Sequence, residues 1–310
     1  MKKIAKKQVK KDIDMMRLMD KYSNEDACRE YLTKLRWHDE ITCPHCGSRA
    51  IRNSYTRHIY DCASCRYQFS VTSGTIFHDS HLALPKWFVA IYLMVESKKG
   101  ISANQMSRTL NVSYKTAWYL CHRIRNAMME QNPELLNNVV EVDETFVGGK
   151  REHVGHGYKG NKVIAVGAVE RNGETRLQKI SNRDKETLRN FIKEHVANDT
   201  KAIYTDDFPA YKGIEDADTK HETVNHSADE WVRGDVNTNS IENVFSLFKR
   251  SVMGSYHKVS AKHLDAYLDE LEWRFNNREN PYLFRDTLLK LINSDNLKYK
   301  KLVNCPSVSH

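Results

Sequence analysis

Asp143, Asp206 and Glu242 are the residues of this chain whose types and spacing best suit chemistry. Asp143 lies in an alternating apolar run, NVVEVDETFV, and Asp206 closes a second one, KAIYTDD. Thirty-five residues then intervene before Glu242, inside NTNSIENVFSLFKR. Two aspartates on strands and a glutamate on a helix offer hard oxygen ligands to divalent cations, which need few carboxylates because they keep several waters. Two such cations ~3.5–4 Å apart can hold the attacking and leaving oxygens of a phosphodiester in line. An ionised Asp143 facing a core from mid-strand is costly unless it is paired or metal-bound. Alone, a strand-end aspartate is most often a turn former; the set is what points to a metal centre. Glu144 and Asp207 alternate to the opposite faces of their strands and are not expected to be ligands. Asn239, one turn before Glu242, could supply an amide oxygen as the third ligand instead. Lys249 follows Glu242 by two turns, about 10.5 Å at ~1.5 Å per residue. It reads as a phosphate clamp or a solvated lysine, and its place on the Glu242 face favours the clamp.

A second constellation is Cys43-Pro-His-Cys46, fifteen residues, then Cys62-Ala-Ser-Cys65. Four thiolates at this spacing close a tetrahedral site with no open position, so one structural Zn²⁺ is expected. Metal binding then supplies folding energy that so short a segment lacks. His45 is read as a bystander. Seven cysteines in all make an odd count for a disulfide scaffold, and a reducing compartment fits better. Cys28 and Cys121 read as small buried hydrophobes, and Cys305 as a tail residue.

The positioning elements follow from periodicity. Residues 12–38 read as one or two amphipathic helices, with Ser23 or Asn24 as the cap between them. Between the cysteine pairs the chain alternates like a hairpin, and Arg49, Arg52, Arg57, His58 and Arg66 decorate it as a solvated face or a DNA contact. Residues 85–97 form a buried helix begun by Pro85. ISANQMSRTL, a turn at 111–113, and YKTAWYLCHRIRNAM read as helix, turn, helix, with Ser113 as the second helix's cap. Six Lys or Arg and no acid occur from Ser97 to Met129. A basic second helix is the helix-turn-helix pattern, so Lys115, Thr116, Tyr119 and Arg123 are expected to face DNA. An ordinary helical hairpin with a basic face is the plain alternative.

From Asn137 to about Arg285 the chain reads as one α/β unit. Period-two runs at 138–147, 162–170 and 174–180 precede a helix at 184–197 and a short strand at 201–205. Three meandering strands, a helix, then a strand ending in an acid is the order of an RNase H-like core. Helices at 238–252 and 261–277 would pack over it. Ile241, Val244, Phe245, Phe248 and Val252 form the buried stripe of the first. Arg250, Lys258 and Lys262 fall in an acid-free window, 243–264, that suits a DNA-tracking surface. Loop 148–161 is glycine-rich and basic without nucleotide-cradling spacing, so proximity to a DNA backbone is expected. His226 and His257 are read by default as ordinary hydrogen-bonding residues.

The net charge of +8 and pI near 9.0 fit a polyanion partner weakly. No run of eighteen apolar residues exists, so no membrane span is expected. The N-terminal MKKIAKKQVKKD lacks the apolar stretch of a secretory signal and reads as a solvated tail or a phosphate-touching arm. A cytoplasmic, nucleoid-associated protein is expected.

Taken together, CPHC…CASC, the basic helix-turn-helix, VDETFVGGK, YTDDFPAY, NTNSIENVFSLFKR and SYHKVSAKHLDAYLDELEWRFNNR resemble the zinc-ribbon DDE transposases of bacterial insertion sequences, the ISXO-two-like group. The resemblance covers roughly residues 20–285. It implies an RNase H-like catalytic domain with Asp143, Asp206 and Glu242 as ligands of two Mg²⁺ (or Mn²⁺) and Lys249 beside them. Part of the group uses an asparagine as third ligand, which keeps Asn239 in play. The group often carries a histidine just before the N-x-x-E run, where this chain has Asp235 and Val236. The expected organisation is an N-terminal helical segment (1–40), a zinc ribbon (41–80), a helix-turn-helix domain (81–132), an RNase H-like DDE domain (137–285) and a tail (286–310). The expected activity is metal-dependent strand cleavage and transfer on double-stranded DNA, element ends and target alike, by a homo-oligomer. The rivals are a domesticated DNA-binding regulator without catalysis and a metal-dependent nuclease without strand transfer.

Overall fold

The computed structural model describes residues 12–54, 58–148, 162–214, 220–224 and 235–304. The N-terminal lysines, Arg57, most of loop 148–161, His226 and Cys305 lie outside them. The chain divides into two compact units, one of residues up to 128 together with 277 onward, the other spanning 129–276. No described helix is long and apolar enough to cross a membrane.

The first unit opens with α1 (Met15–Lys21) and α2 (Glu25–Arg36). Asn24, one of the two expected caps, accepts the Ala27 N–H at 2.9 Å. A three-stranded antiparallel sheet follows, β1 (Ile51–Ser54), β2 (Ile59–Cys62) and β3 (Gln68–Phe69). Trp37, Tyr60 and Phe69 pack around its cysteines, so this small body has an aromatic patch but little other core. Next come α3 (Leu84–Glu96), α4 (Ala103–Leu110) and α5 (Tyr114–Met128). Asn111 ends α4 in the left-handed region at φ 49°, a conformation asparagine tolerates. Ser113 begins α5 by accepting the Thr116 N–H at 3.1 Å. The expected stripe of Ala117, Leu120, Cys121, Ile124 and Met128 is buried.

The second unit is built on a five-stranded sheet of β4 (Val139–Val147), β5 (Val163–Glu170), β6 (Thr175–Ile180), β7 (Ala202–Asp206) and β8 (Lys220–Val224). The order is β6-β5-β4-β7-β8, with β4, β5 and β6 antiparallel and β4, β7 and β8 parallel. The meander, helix and acid-ended strand therefore occur in the expected order, with α6 (Lys185–His195) as the crossover. Strand β8 was not expected: KHETV carries one apolar residue, Val224, and only its pairing with β7 makes it a strand.

Alternation along β4 divides the core in two. Val140 and Val142 face α6 with Val166, Leu188, Phe191 and Ile192. The odd-numbered side faces α7 (Asn239–Ser251) and α8 (Leu264–Asn276), where Ile241, Val244, Phe245 and Phe248 pack with Ala165, Val169 and Leu268. Gly167, paired with Asp143 across β4 and β5, sets how closely α7 approaches. A Cβ there would lie 2.7 Å from Leu177, 2.8 Å from Ile241 and 3.0 Å from Phe245. After α7 the chain passes through a π turn, Val252–Tyr256; Val252 is half-buried there and still packs against the cluster of Ile241, Val244, Phe245 and Phe248.

Helix α8 also closes the outer edge of the sheet. Asn276, Glu272 and Asp265 accept the N–H groups of Thr175, Leu177 and Lys179 at 2.8, 2.8 and 3.3 Å. These are the outward-facing donors of β6, which would otherwise invite another strand.

The stretch expected to be a tail from 286 is folded where it is described. Helices α9 (Leu283–Ile292) and α10 (Tyr299–Asn304) belong to the first unit, with Leu288, Leu291 and Ile292 buried. The boundary at 285 therefore cuts through α9. The apolar LFRDTLLKLI provides a core-facing stripe, which is why it folds.

Candidate active site

The charges of Asp206 and Glu242 both act on Asp143, although among the described residues only the four cysteines form a tight group of potential metal ligands. Strands β4 and β7 pair in parallel with Glu141 beside Tyr204. Asp143 and Asp206 each lie two residues beyond that pair on their own strand. Glu242 lies in the first turn of α7, which packs on β4 and β5. Burial pushes the Asp143 carboxyl up to about 7, and the charges of Glu144, Asp206 and Glu242 push the same way against a hydrogen bond from the Glu144 N–H. Asp206 also accepts the Phe208 N–H at 3.2 Å, forming the turn that ends β7. Thr238 donates its hydroxyl to Glu242 at 3.1 Å. Asn239 is exposed at the start of α7, and Lys249 and Arg250 are exposed near its end.

Glu144 points away from the α7 face, as alternation requires. The Tyr211 hydroxyl donates to it at 2.7 Å and Arg183 pairs with it at 3.0 Å. Burial, with Glu144 next, holds the Tyr211 phenol well above its ordinary range, so it stays a donor at neutral pH. His257 stands outside the acid group at φ 59°, where the π turn ends.

The cysteines form one cluster, with their four sulfurs within 4.8 Å of one another. Cys43 and Cys65 lie 3.7 Å apart and Cys46 and Cys62 3.6 Å apart. A tetrahedron with metal–sulfur bonds of ~2.3 Å has edges of about 3.8 Å, so the residues fit Zn²⁺. The two knuckles share one backbone geometry. Gly47 and Arg66 donate N–H groups to the Cys43 and Cys62 carbonyls, both at 2.9 Å, with φ of 70° and 59°. His45 packs against Tyr67 at 5.4 Å between ring centres.

The residues expected to face DNA from α5 divide. Lys115 and Thr116 are exposed. Tyr119 is half-buried and donates its hydroxyl to the Leu297 carbonyl, while the Lys115 ammonium sits 4.7 Å from the Tyr299 ring. Arg123 is a correction. It is 3% exposed, donates to the carbonyls of Ile76 and His78, and stacks on Trp87, so it ties the unit together and offers nothing to a groove. Charge alone points it to the surface; its position one turn from Leu120 and Ala127, both buried, is the signal against.

A four-cysteine cluster spaced for a metal in one unit and a carboxylate-bearing mixed sheet in the other are the features that set the class of this chain. Two family models match accordingly. Residues 135–276 match the ISXO2-like transposase domain and residues 23–68 the transposase zinc-ribbon domain. The chain belongs to the zinc-ribbon DDE transposases of insertion sequences. It is 27% identical over 273 residues to a protein of transposable element ISH50 from Halobacterium salinarum, covering 82% of this chain and 91% of that one. A transposase-like protein of Haemophilus influenzae is 32% identical over 100 residues, covering 32% of this chain and 79% of that one. Among solved structures, the Mos1 strand transfer complex aligns with a TM-score of 0.32 at 12% identity, over 70% of this chain and 77% of that one. That likeness is too distant to carry weight.

Proposed function

We propose that the chain is an active DDE-type DNA transposase, a polynucleotidyl transferase with an RNase H-like catalytic domain. Asp143, Asp206 and Glu242 hold two Mg²⁺ or Mn²⁺ ions, with Asn239 as the alternative third donor. The observation that supports this most is the placement of the acids, Asp143 on β4, Asp206 at the end of β7 and Glu242 in the first turn of the helix packed on β4. Burial first, then the charge of Glu144, and after them those of Asp206 and Glu242, raise the Asp143 carboxyl to about 7. Such a group suits a divalent ion better than a structural ion pair. The donor set, oxygens only, fits Mg²⁺ or Mn²⁺. When bound, the ions would lower the pKa of an attacking water or 3′-hydroxyl and neutralise charge on the phosphate. The chain's part is to hold the carboxylates convergent, and to steady the phosphate through Lys249.

DNA ends are bound by the first unit, through the ribbon and the α4–α5 helix-turn-helix, with Lys115 and Thr116 as the residues free to reach a groove. Arg250 continues a phosphate-tracking surface on α7. Joining two ends requires at least two protomers on double-stranded DNA, and the protein works in the cytoplasm at the nucleoid. Incubation of the chain with DNA carrying the element's ends and a plasmid target, with Mg²⁺ or Mn²⁺, tests this reading. Nicked ends and joined products are expected. Nicks without joining would leave a nuclease, and neither product would leave a DNA-binding regulator.

A further inference from the structure

Glu141 is a fully buried carboxylate on β4 that takes no part in the chemistry above. One of its oxygens accepts the backbone N–H groups of Ser240 at 2.6 Å and Ile241 at 3.2 Å. The other accepts the Ser240 hydroxyl at 3.1 Å and the Arg171 Nε at 2.7 Å. Arg171 stands in the turn between β5 and β6, lies over the Tyr204 ring at 4.8 Å, and donates to the Asn237 carbonyl at 3.2 Å. One buried ion pair thus joins β4, the neighbouring hairpin and the segment that enters α7.

Helix α7 lacks a side-chain cap of its own at Thr238. That residue's hydroxyl goes to Glu242 instead. The first N–H groups of any helix need acceptors, and a carboxylate there is favoured by both hydrogen bonding and the helix dipole. Here the acceptor comes from a strand almost a hundred residues earlier. That strand also carries Asp143, two residues beyond Glu141 on the same face. Glu141 and Asp143 cannot shift independently, and neither can Ser240, Ile241 and Glu242.

We propose that Glu141, braced by Arg171, is a positioning residue for the metal centre: it pins the first turn of α7 to β4 and so fixes Glu242 relative to Asp143. A simple helix cap could have been supplied locally by residue 238. A cap taken from the acid-bearing strand adds registration between two ligands. This inference rests on the acid centre being a cation site.

The test is Mn²⁺ titration of the zinc-loaded full chain by calorimetry, alongside metal-free thermal unfolding. Glu141→Gln keeps the reach of the side chain and removes the charge, and is expected to weaken Mn²⁺ binding tenfold or more. Ser240→Ala removes one of the four bonds at a half-buried position that tolerates it, and is expected to weaken binding two- to threefold with little change in the unfolding temperature. A folded Glu141→Gln chain that binds Mn²⁺ as the wild type does overturns the proposal. Should that variant fail to fold, Ser240→Ala decides alone: a shift supports the positioning role and no shift overturns it. If wild type and Asp143→Asn titrate alike, the cation site itself is absent, and both readings fall together.

Discussion

The two ligand clusters of this molecule are built on opposite plans. The cysteines come from two short knuckles of matching backbone geometry, and their sulfurs already stand at the spacing a tetrahedral ion requires. Backbone N–H groups, that of Cys65 first, pull the Cys62 thiol down to about 6, while against the Tyr67 N–H burial and the neighbouring thiols push Cys65 up to about 12. The acids come from two strands and a helix far apart in sequence, and burial, with the charges of Glu144, Asp206 and Glu242 after it, raises the Asp143 carboxyl. The first cluster is closed, so its metal can only hold the fold. In the proposed function the second is open, which suits a centre that must accept substrate oxygens.

The largest effect that sharpens this contrast is Asp143→Asn. Strand cutting should fall by about a thousandfold or more, as expected when a metal ligand of a phosphoryl-transfer centre is lost. End-DNA binding in a gel-shift assay should change less than about twofold, since the first unit is untouched. Residual cutting near the wild-type rate would break the assignment.

Cys62→Ser should do the reverse. Zinc content by native mass spectrometry should drop from one ion to none. The ribbon should lose a folding contribution on the order of several kcal/mol, and end binding should go with it. Mn²⁺ titration of the second unit's acids should be unaffected.

A third test uses pH. The folded values near 7 for Asp143 and Glu272, both raised chiefly by burial, lie above the unfolded values of about 4. Between those limits the folded chain binds more protons than the unfolded one. Metal-free stability contributed by these two groups should therefore be full below about pH 4, fall between about pH 4 and 7, and level off above 7. Mn²⁺ affinity should move the other way, gaining up to about tenfold per pH unit below 7 as each bound ion displaces the Asp143 proton. Asp143→Asn should flatten that slope. Calorimetry across pH 5.5–8 reads both trends.

Smaller effects probe the scaffolds. Gly167→Ala should cost about 1–3 kcal/mol through overpacking beneath α7, measured by denaturant unfolding. Arg66→Gly should stabilise the ribbon by about 1 kcal/mol, because Gly47 already shows what the same left-handed position prefers in the other knuckle.

Legibility in the sequence followed the same divide. The cysteine cluster could be read directly because its ligands are local and their spacing is nearly the whole geometry. The acids could be nominated from residue type and strand pattern, but their meeting depends on the β4–β7 register and on α7, which no local window contains. Glu141 and Arg171 carried no signal at all. A glutamate in an apolar strand becomes intelligible only once a helix start is found opposite it. Arg123 misled because a basic helix looks the same whether its charge faces solvent or a pair of buried carbonyls. Strand β8 and the helical C-terminus were missed for a related reason: one takes its conformation from a neighbouring strand, and the other from a core assembled by the first third of the chain.

The capping of β6 by Asn276, Glu272 and Asp265 bears on assembly. With its donors occupied, that side of the sheet is sealed against recruitment of a strand from a second protomer. Copies that gather on two DNA ends would not pair strands through β6, and continuous intermolecular sheets of the kind that lead to fibres are discouraged at that border.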